Sequence, residues 1–364
     1  MSDTPVYTEL QLDSRMYNYI RSSAITNIED ALVELLTNTV DAYYGIENQK
    51  NIIDIDYSNQ NSTITVIDQA IGMNANDMTK KILTVGLYVS EYNKRGHFSR
   101  GVKDISAIGN ITFTGIKDGL LSQCRIREDG LGAMLINQIE ATSDLREQYK
   151  IVENGFSVQM HITKISLDTW KVNDFESHFA LRDISNNDKF QINVNNLDNG
   201  STRILGYTYP ETKEGMTKVV DVTYLVAKYN VQARFVCYLD NNADVLNIDD
   251  DKRYNENGFL ITSFNAAYDN CLLNNRIILR NPHSHKLYGR IECDYINDLL
   301  TDYDENGNST NNPYSILDNS RIDGLAKNHP FTKELFKLPS GRVHQILTEL
   351  EYQSQNLDLS ALNN

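Results

Sequence analysis

The first clear rhythm of apolar and polar positions runs over residues 31–42, ALVELLTNTVDA, and it is helical. Ile28, Leu32, Leu35 and Val40 supply the apolar surface. Glu34, Asn38 and Asp41 recur four and then three residues apart, so they line one stripe of a helix with 3.6 residues per turn. Thr26 followed three residues later by Glu29 reads as a capping box at its start. The rhythm then shortens to two. NIIDIDYS at 51–58 alternates as a half-buried strand, NQNS makes a turn, and STITVID predicts a second strand, paired with the first and ending at Asp68. NANDMTKKILTVGL predicts a short helix after Gly72. RGHFSRGVKDISAIGN predicts another, entered through Gly96 and Gly101 and ended by Gly109 or Asn110. ITFTGIK and LLSQCRI flank Asp118-Gly119, the dipeptide of a type I′ hairpin turn, and GAMLINQIE and FSVQMHITKI are further strands.

From about residue 165 the texture changes. WKVNDFESHFALRDI predicts a helix. FQINVNN, TRILGYTY, TKVVDVTYLV and NVQARFVCYLD predict strands, and so do the apolar runs NNRIILRN and LYGRIECDYI. NNADVLNIDDDKR reads as an acidic solvated loop, and TDYDENGNSTNNP as a long polar loop. HPFTKELF and GRVHQILTELEYQ predict closing helices. Residues 1–25 alternate weakly at Val6, Leu10 and Leu12 and look helical from Met16 to Ile20, the pattern of an arm leading into the first long helix.

Composition narrows the class. At 364 residues there is room for about two domains, and a hydrophobic content of 40% with 23% charged residues is that of a globular chain. A formal charge of −15 argues against a general polyanion-binding surface, which needs clustered Lys and Arg. Cys124, Cys237, Cys271 and Cys293 show no close pairing and predict reduced, buried thiols. The acidic, polar amino terminus has no apolar signal core, and no run reaches the roughly 18 apolar residues of a membrane span. These features lead us to expect a protein of the cytoplasm, or of the nucleus or a viral factory, that does not engage membranes.

Three segments offer chemistry that one nucleoside triphosphate would need. Asp68 at a strand end can accept the exocyclic amine of adenine, because an ionised carboxylate is acceptor-only. Asn38 suits Mg²⁺, which takes few protein oxygens beside phosphates and waters. Gly96 and Gly101 ahead of a helix free backbone amides for phosphates, with Arg100 and Lys103 adding charge. Glu34, one turn before Asn38, can orient or deprotonate water. Taken alone, the helical stripe fits a solvated face better.

ELLTNTVDA, DQAIGM and GHFSRGVKD, in this order and spacing, resemble the three nucleotide motifs of the GHKL superfamily, which includes gyrase, the large ATP-dependent heat-shock chaperone, histidine kinases, MutL and MORC proteins. The first motif is close to the chaperone's, and the third, with VKD after the glycines, is closer to MORC-type members. The resemblance covers roughly residues 24–165. It implies an α+β chain with a Bergerat-type α/β sandwich, a mixed sheet with helices on one face. The expected domains are 1–165, the ATP-binding domain with its arm, and 166–364, a transducer-like αβ domain. SRIDGLAKNHPF is similar to a stretch of MORC-type second domains.

By matching position, Glu34 would be the general base, Asn38 the Mg²⁺ ligand, and Asp41 with Ala42 the lining of the base and ribose side. Asp68 would read adenine, with Gly72 and Met73 beside the base. Gly96, His97, Phe98, Ser99, Arg100, Gly101, Val102 and Lys103 would close over the phosphates, Lys103 also serving catalysis, and 74–95 would form the lid. His97 fits a turn cap better than a phosphate contact, and the lesser reading of Lys103 is a surface ion pair. The implied function is a Mg²⁺-dependent ATPase that switches conformation, hydrolyses ATP slowly and closes as a homodimer on binding it, serving a protein client or a DNA-associated complex. The other reading is a nucleotide-binding or protein-interaction module without catalysis. Ala70 and Ser99 stand where the motifs usually carry Gly, and Phe156 where a Thr hydroxyl would support Asp68. Arg276, Arg280, Arg290, Arg321 and Lys327 are candidates for a basic residue reaching the γ-phosphate. His283, His285 and His329 lack the spacing of a zinc site.

Overall fold

The computed structural model describes residues 25–43, 45–46, 51–84, 101–186, 188–242, 249, 252–264, 266–317 and 324–362. The expected arm at 1–24 and the acidic loop over most of 243–251 lie outside the described residues. The chain is α+β and divides into two compact units, the first taking residues within 25–35, 56–84 and 101–170 and the second those within 36–55 and 171–362.

Helix α1, Ile28–Ala42, starts from a cap one residue later than the sequence signal. Asn27 Oδ1 accepts from the Asp30 amide at 2.8 Å, and Asn27 Nδ2 donates to Asp30 Oδ2 at 2.7 Å. This reciprocal pair replaces the expected Thr26–Glu29 box; Asn ranks above Thr as a cap, and Glu29 is itself buried. The helix buries Ile28, Ala31, Leu32, Leu35 and Leu36, while Val40 falls on the flank of that arc and is only half-buried.

The first unit is a run of strands with short helices between them: the end of β1 Asn51–Ser58 from Asp56 on, β2 Thr63–Asp68, α2 Ala75–Lys81, α3 Gly101–Asp104, β3 Gly109–Lys117, β4 Leu120–Ile126, β5 Gly132–Glu140, α4 Ser143–Tyr149 and β6 Gly155–Ile162. The strands neighbour one another in the order β5-β4-β3-β6-β2-β1, and the β2–β6, β3–β6, β3–β4 and β4–β5 pairs are antiparallel. The β3–β4 hairpin turns on Asp118 and Gly119 at φ +52° and +79°, the two left-handed residues of a type I′ turn. Ile67, Ile116, Leu121, Ala141 and Ile151 form a core under this sheet. Helix α2 packs on β4 and β5, and an ion pair of 3.1 Å joins its Asp77 to Lys117. The helix expected to run to Gly109 or Asn110 stops early: α3 gives way to a 3₁₀ turn at Ile105–Ala107. Gly109 opens β3 instead, where a Cβ would lie 2.1 Å from the His161 carbonyl.

The second unit contains α5 Arg182–Ser185, β7 Phe190–Asn196, β8 Thr202–Ile204, β9 Met216–Val226, β10 Val231–Asp240, β11 Gly258–Ser263, β12 Ala266–Cys271, α6 Arg276–Arg280, β13 Leu287–Glu292, α7 Tyr295–Asn306, α8 Pro330–Leu335 and α9 Lys337–Leu362. β7 pairs antiparallel with β8. A five-stranded sheet runs β12-β11-β13-β10-β9, with β11 parallel to β13 and its other pairs antiparallel. Among the described residues no helix is long and apolar enough to cross a membrane.

Several expectations here are overturned. The helix expected at 170–184 is a 3₁₀ turn at Phe175–Ser177 followed by the four-residue α5. Phe175, His178, Phe179, Leu181, Arg182 and Ile184 are all buried, too many directions for one helical face. NNRIILRN is not a strand but α6, capped by Asn275, whose side chain accepts from the Ile277 amide at 2.9 Å. The strand expected from TRILGYTY ends at Ile204, and that from LYGRIECDYI at Glu292. The polar loop TDYDENGNSTNNP begins as the second half of α7, fastened where Asn312 Nδ2 donates to the Leu299 carbonyl at 2.7 Å and to Asp302 at 3.1 Å. β11 and β12 were not legible: β11 is buried at every position and β12 carries buried Asp269 and Asn270, so neither alternates.

All four cysteines are free thiols; burial pushes Cys124 up to about 12 and Cys293 up to about 11, so both stay protonated. His329 is wholly buried as the cap of α8. Its Nδ1 accepts from the Phe331 amide at 3.2 Å, which leaves Nε2 as the N–H donor to Asn312 Oδ1, also at 3.2 Å. Burial lowers its pKa to about 4 from the usual 6.5, with a backbone hydrogen bond at Tyr314 opposing. Between pH 6.5 and 4 the unfolded chain therefore takes up a proton that the folded chain declines. Stability is expected to fall with acidification across that window, by up to about 1.4 kcal/mol per pH unit from this group. Urea midpoints at pH 7 and pH 5 check it, His329→Asn losing that part of the pH dependence while keeping a capping oxygen.

Candidate functional site

The polar stripe of α1 is neither solvated nor sequestered: Glu34, Asn38, Asp41 and Ala42 are all half-buried. Glu34 belongs to the first unit, and Asn38, Asp41 and Ala42, further along the same helix, to the second.

The end of β2 is the most constrained corner of the first unit. Asp68 is 3% exposed, and its Oδ1 accepts from the Ala70 amide at 2.9 Å, an Asx turn that swings the chain off the strand. Gln69 is bracketed by the segment between α4 and β6, its Nε2 donating to Lys150 O at 2.7 Å and its Oε1 accepting from the Val152 amide at 2.9 Å. Gly72 sits at φ +64°, and a Cβ there would lie 2.1 Å from the Ile116 carbonyl oxygen. The same holds at Gly155, 2.3 Å from Asp68 O, and at Gly115, 2.4 Å from Met73 O. Three glycines thus let three stretches of main chain close on one another. The corner fixes the direction of a carboxylate at a strand end, beside closely packed main chain.

Two of the motif departures can be read at this corner. Ala70 keeps a negative φ and is buried, so the missing glycine introduces no left-handed strain. Phe156 is the cross-strand partner of Asp68 in the β2–β6 register and stacks on Phe113 with ring centroids 6.2 Å apart. The position where a hydroxyl was sought beside Asp68 is adjacent to it, and a ring fills it.

Of the third motif, Gly101, Val102 and Lys103 form the start of α3, while Gly96, His97, Phe98, Ser99 and Arg100 lie outside the described residues. Lys103 is 1% exposed, which removes the surface ion-pair reading. Burial lowers its pKa, partly offset by the neighbouring charge of buried Asp104. A buried ammonium of this kind is a strong partner for an anion brought close to it.

The basic candidates of the second unit divide. Arg290 is engaged, reaching Asp183 at 3.3 Å and Glu211 at 3.7 Å and lying 4.0 Å over the Tyr209 ring. Arg276, Arg280 and Lys327 are exposed, and Arg321 lies outside the described residues. Buried Arg182 was not singled out by the sequence, because an arginine in a stretch read as a helix passes for a solvated position. Among the described residues no three His, Cys, Asp or Glu side chains gather as a metal cluster. Asn38, the expected Mg²⁺ ligand, is a half-buried amide on α1.

No family model and no curated protein sequence matches the chain. Among solved structures the fold is similar to the crystal structure of the N-terminal domain of a DNA repair protein, with a TM-score of 0.53 and 11% identity over 92% of this chain and 99% of that one.

The glycine contacts give a direct test. Gly72→Ala is expected to destabilise the chain by about 2 kcal/mol or more, since it combines a left-handed φ with a main-chain overlap. Gly119→Ala, at φ +79° but with open space around it, is expected to lose about 1 kcal/mol. Urea unfolding of the two variants ranks them, and equal losses would count against the tight corner.

Proposed function

We propose that this chain is an ATP-dependent conformational switch of the GHKL type, a slow Mg²⁺-dependent ATPase built on a Bergerat-type sandwich with a transducer-like second domain. The observation that carries the reading is the ordered triplet ELLTNTVDA, DQAIGM and GHFSRGVKD. Three structural features support it: the second motif falls on a strand end whose carboxylate is oriented by an Asx turn, the turn beyond it needs glycine at Gly72, and the lysine of the third motif is buried.

In this reading Asp68 accepts the adenine amine, Gly72 and Met73 flank the base, and Asp41 and Ala42 line the ribose side. Asn38 would hold Mg²⁺, whose charge draws electron density from the phosphate oxygens as the γ-phosphoryl group leaves. Residues 96–103 would close over the phosphates, with Lys103 supplying fixed positive charge. Glu34 orients the attacking water and takes its proton, so hydrolysis rests on positioning and electrostatics. ATP-gated closure of two copies would turn turnover into a mechanical cycle. The likeness to the N-terminal domain of a DNA repair protein favours a DNA-associated setting over a protein client. With a net charge of −15, contact with a duplex would come through a local basic surface or a partner.

A second reading, a nucleotide-binding module without turnover, draws on Phe156, which puts a ring beside Asp68. Phosphate release from Mg-ATP separates the two. Glu34→Ala is expected to keep ATP binding while phosphate release falls roughly 100-fold or more; turnover equal to the parent's would remove Glu34 as the base. Asp68→Asn is expected to weaken nucleotide binding by roughly 10- to 100-fold, the loss of a buried charged hydrogen bond. Light scattering with a nonhydrolysable ATP analogue should report a doubled mass, and an unchanged mass would refute the gating.

A further inference from the structure

Two stretches of the chain carry four Lys or Arg with no Asp or Glu among them. One is 92–103, with Lys94, Arg95, Arg100 and Lys103, which takes in the third motif. The other is 270–291, with Arg276, Arg280, Lys286 and Arg290, and with His283 and His285 between them. In a chain of 49 acidic and 34 basic residues, such a stretch reverses the local sign of charge.

The structure separates Arg290, which is held by Asp183 and Glu211, from the other three cations. Arg276 and Arg280 begin and end α6, a short helix capped by Asn275, so they stand about 6 Å apart along its axis and on one side of it. Both are exposed. The chain turns back at Asn281, whose Oδ1 accepts from the His283 amide at 2.9 Å and whose carbonyl accepts from the Ser284 amide at 3.1 Å. That turn packs the 3₁₀ stretch Ser284–Lys286 against α6, with Lys286 half-buried beside the helix.

Among the described residues Arg276, Arg280 and Lys286 form no ion pair, whereas Lys117, Arg127, Lys150, Lys171, Lys213 and Arg234 each meet a carboxylate within 3.1 Å. The carboxylate that α9 brings to this segment, Glu351, is taken up by Asn281 Nδ2 at 2.7 Å. Three cations thus share a short surface on which the described chain supplies no counter-charge to them.

The chemistry of the surface selects a partner. Ile277 and Leu279 are exposed between the two arginines. Together they offer roughly eight side-chain carbons, fewer than the single myristoyl chain that by itself binds a membrane only marginally. As an apolar patch they are also far smaller than a stable protein interface. What the surface has in quantity is charge and donors: two guanidiniums, whose planar forks match phosphate oxygens, and an ammonium. A phosphodiester backbone carries single negative charges at short, regular intervals, which arginines one helical turn apart can meet on neighbouring phosphates. Contacts of this kind hold a duplex without reading its sequence.

We propose that α6 and the turn 281–286 form a docking surface for the backbone of duplex DNA, with Arg276, Arg280 and Lys286 each meeting a phosphate. The proposal rests on the DNA-associated setting given above and not on ATP turnover. It places the nucleic acid on the second unit, where holding a duplex requires neither Asp68 nor Lys103.

Fluorescence anisotropy of a labelled duplex of mixed sequence, titrated with the full chain in the absence of nucleotide, tests it. Three phosphate contacts give a slope of about −2.7 in log K against log salt, a loss of roughly 40-fold between about 50 and 200 mM. Arg276→Gln combined with Arg280→Gln is expected to bring the slope to about −1 and to weaken binding at low salt by at least roughly 10-fold. Both positions are exposed, so the variant keeps its fold. Arg234→Gln, which removes a cation already engaged by Asp221, is expected to leave the slope unchanged. No duplex binding by the parent chain, or an unaltered slope in the double variant, would overturn the proposal. So would tighter capture by phosphatidylserine vesicles than by the duplex, in favour of a lipid surface, or loss of ATP binding in a double variant that still holds the duplex, in favour of a γ-phosphate role. With no nucleotide in the assay, a failed ATPase reading, seen as Glu34→Ala turnover equal to the parent's, leaves this result standing.

Discussion

The close approach of main chain to main chain at the end of β2 is the constraint on which the candidate site depends. Gly72 against the Ile116 carbonyl, Gly115 against Met73 and Gly155 against Asp68 bring the turn, β3 and β6 to distances that any Cβ would forbid. The direction of the Asp68 carboxylate follows from this packing together with its Asx turn to Ala70. The candidate site is a matter of backbone geometry before it is one of side-chain chemistry. A carboxylate held by the fold presents its lone pairs without the entropy loss that a mobile one would suffer on meeting a ligand.

Much of the first unit was legible in the sequence because its strands obey local rules. β1 and β2 alternate, and the β3–β4 hairpin announces itself through Asp118-Gly119, whose left-handed φ values are those the dipeptide is chosen for. α1 was legible from its period, although Asn27 competed with Thr26 for the cap and prevailed. The second unit was harder, for physical reasons. A central strand such as β11 is buried on both faces and loses its alternation, and β12 hides polar Asp269 and Asn270, so neither carries a period-two signal. α6 presents Ile277 and Leu279 to solvent and buries only Ile278, an apolar run that reads as a strand until its Asn275 cap is seen. At the candidate site, residue types and order pointed to Asp68, Gly72 and Lys103. What no sequence pattern gave was the reason for Gly115 and Gly155, whose carbonyl neighbours, Met73 in the turn after β2 and Asp68 at the end of β2, are distant in the chain.

The two units use charge differently. In the first, Lys103 is drawn inward and its ammonium is disfavoured by the loss of water, a state suited to meeting an anion. In the second, Arg290 is stacked on Tyr209 and tied to two carboxylates, which holds it in place as part of the framework and withdraws it from the pool of mobile phosphate readers.

The register of β2 bears on the order in which the molecule assembles. The β3–β4 hairpin closes across two residues and can form as soon as Ile126 is made, but Asp68 must wait for Phe156 to arrive beside it. Loop-closure entropy makes such distant pairings late events in folding. On an emerging polypeptide, residues 63–68 have β1 beside them early but therefore spend the synthesis of some ninety residues with their other side an open, apolar edge. The segment that would select a nucleotide is also the one whose early association with the wrong partner the cell has most reason to prevent.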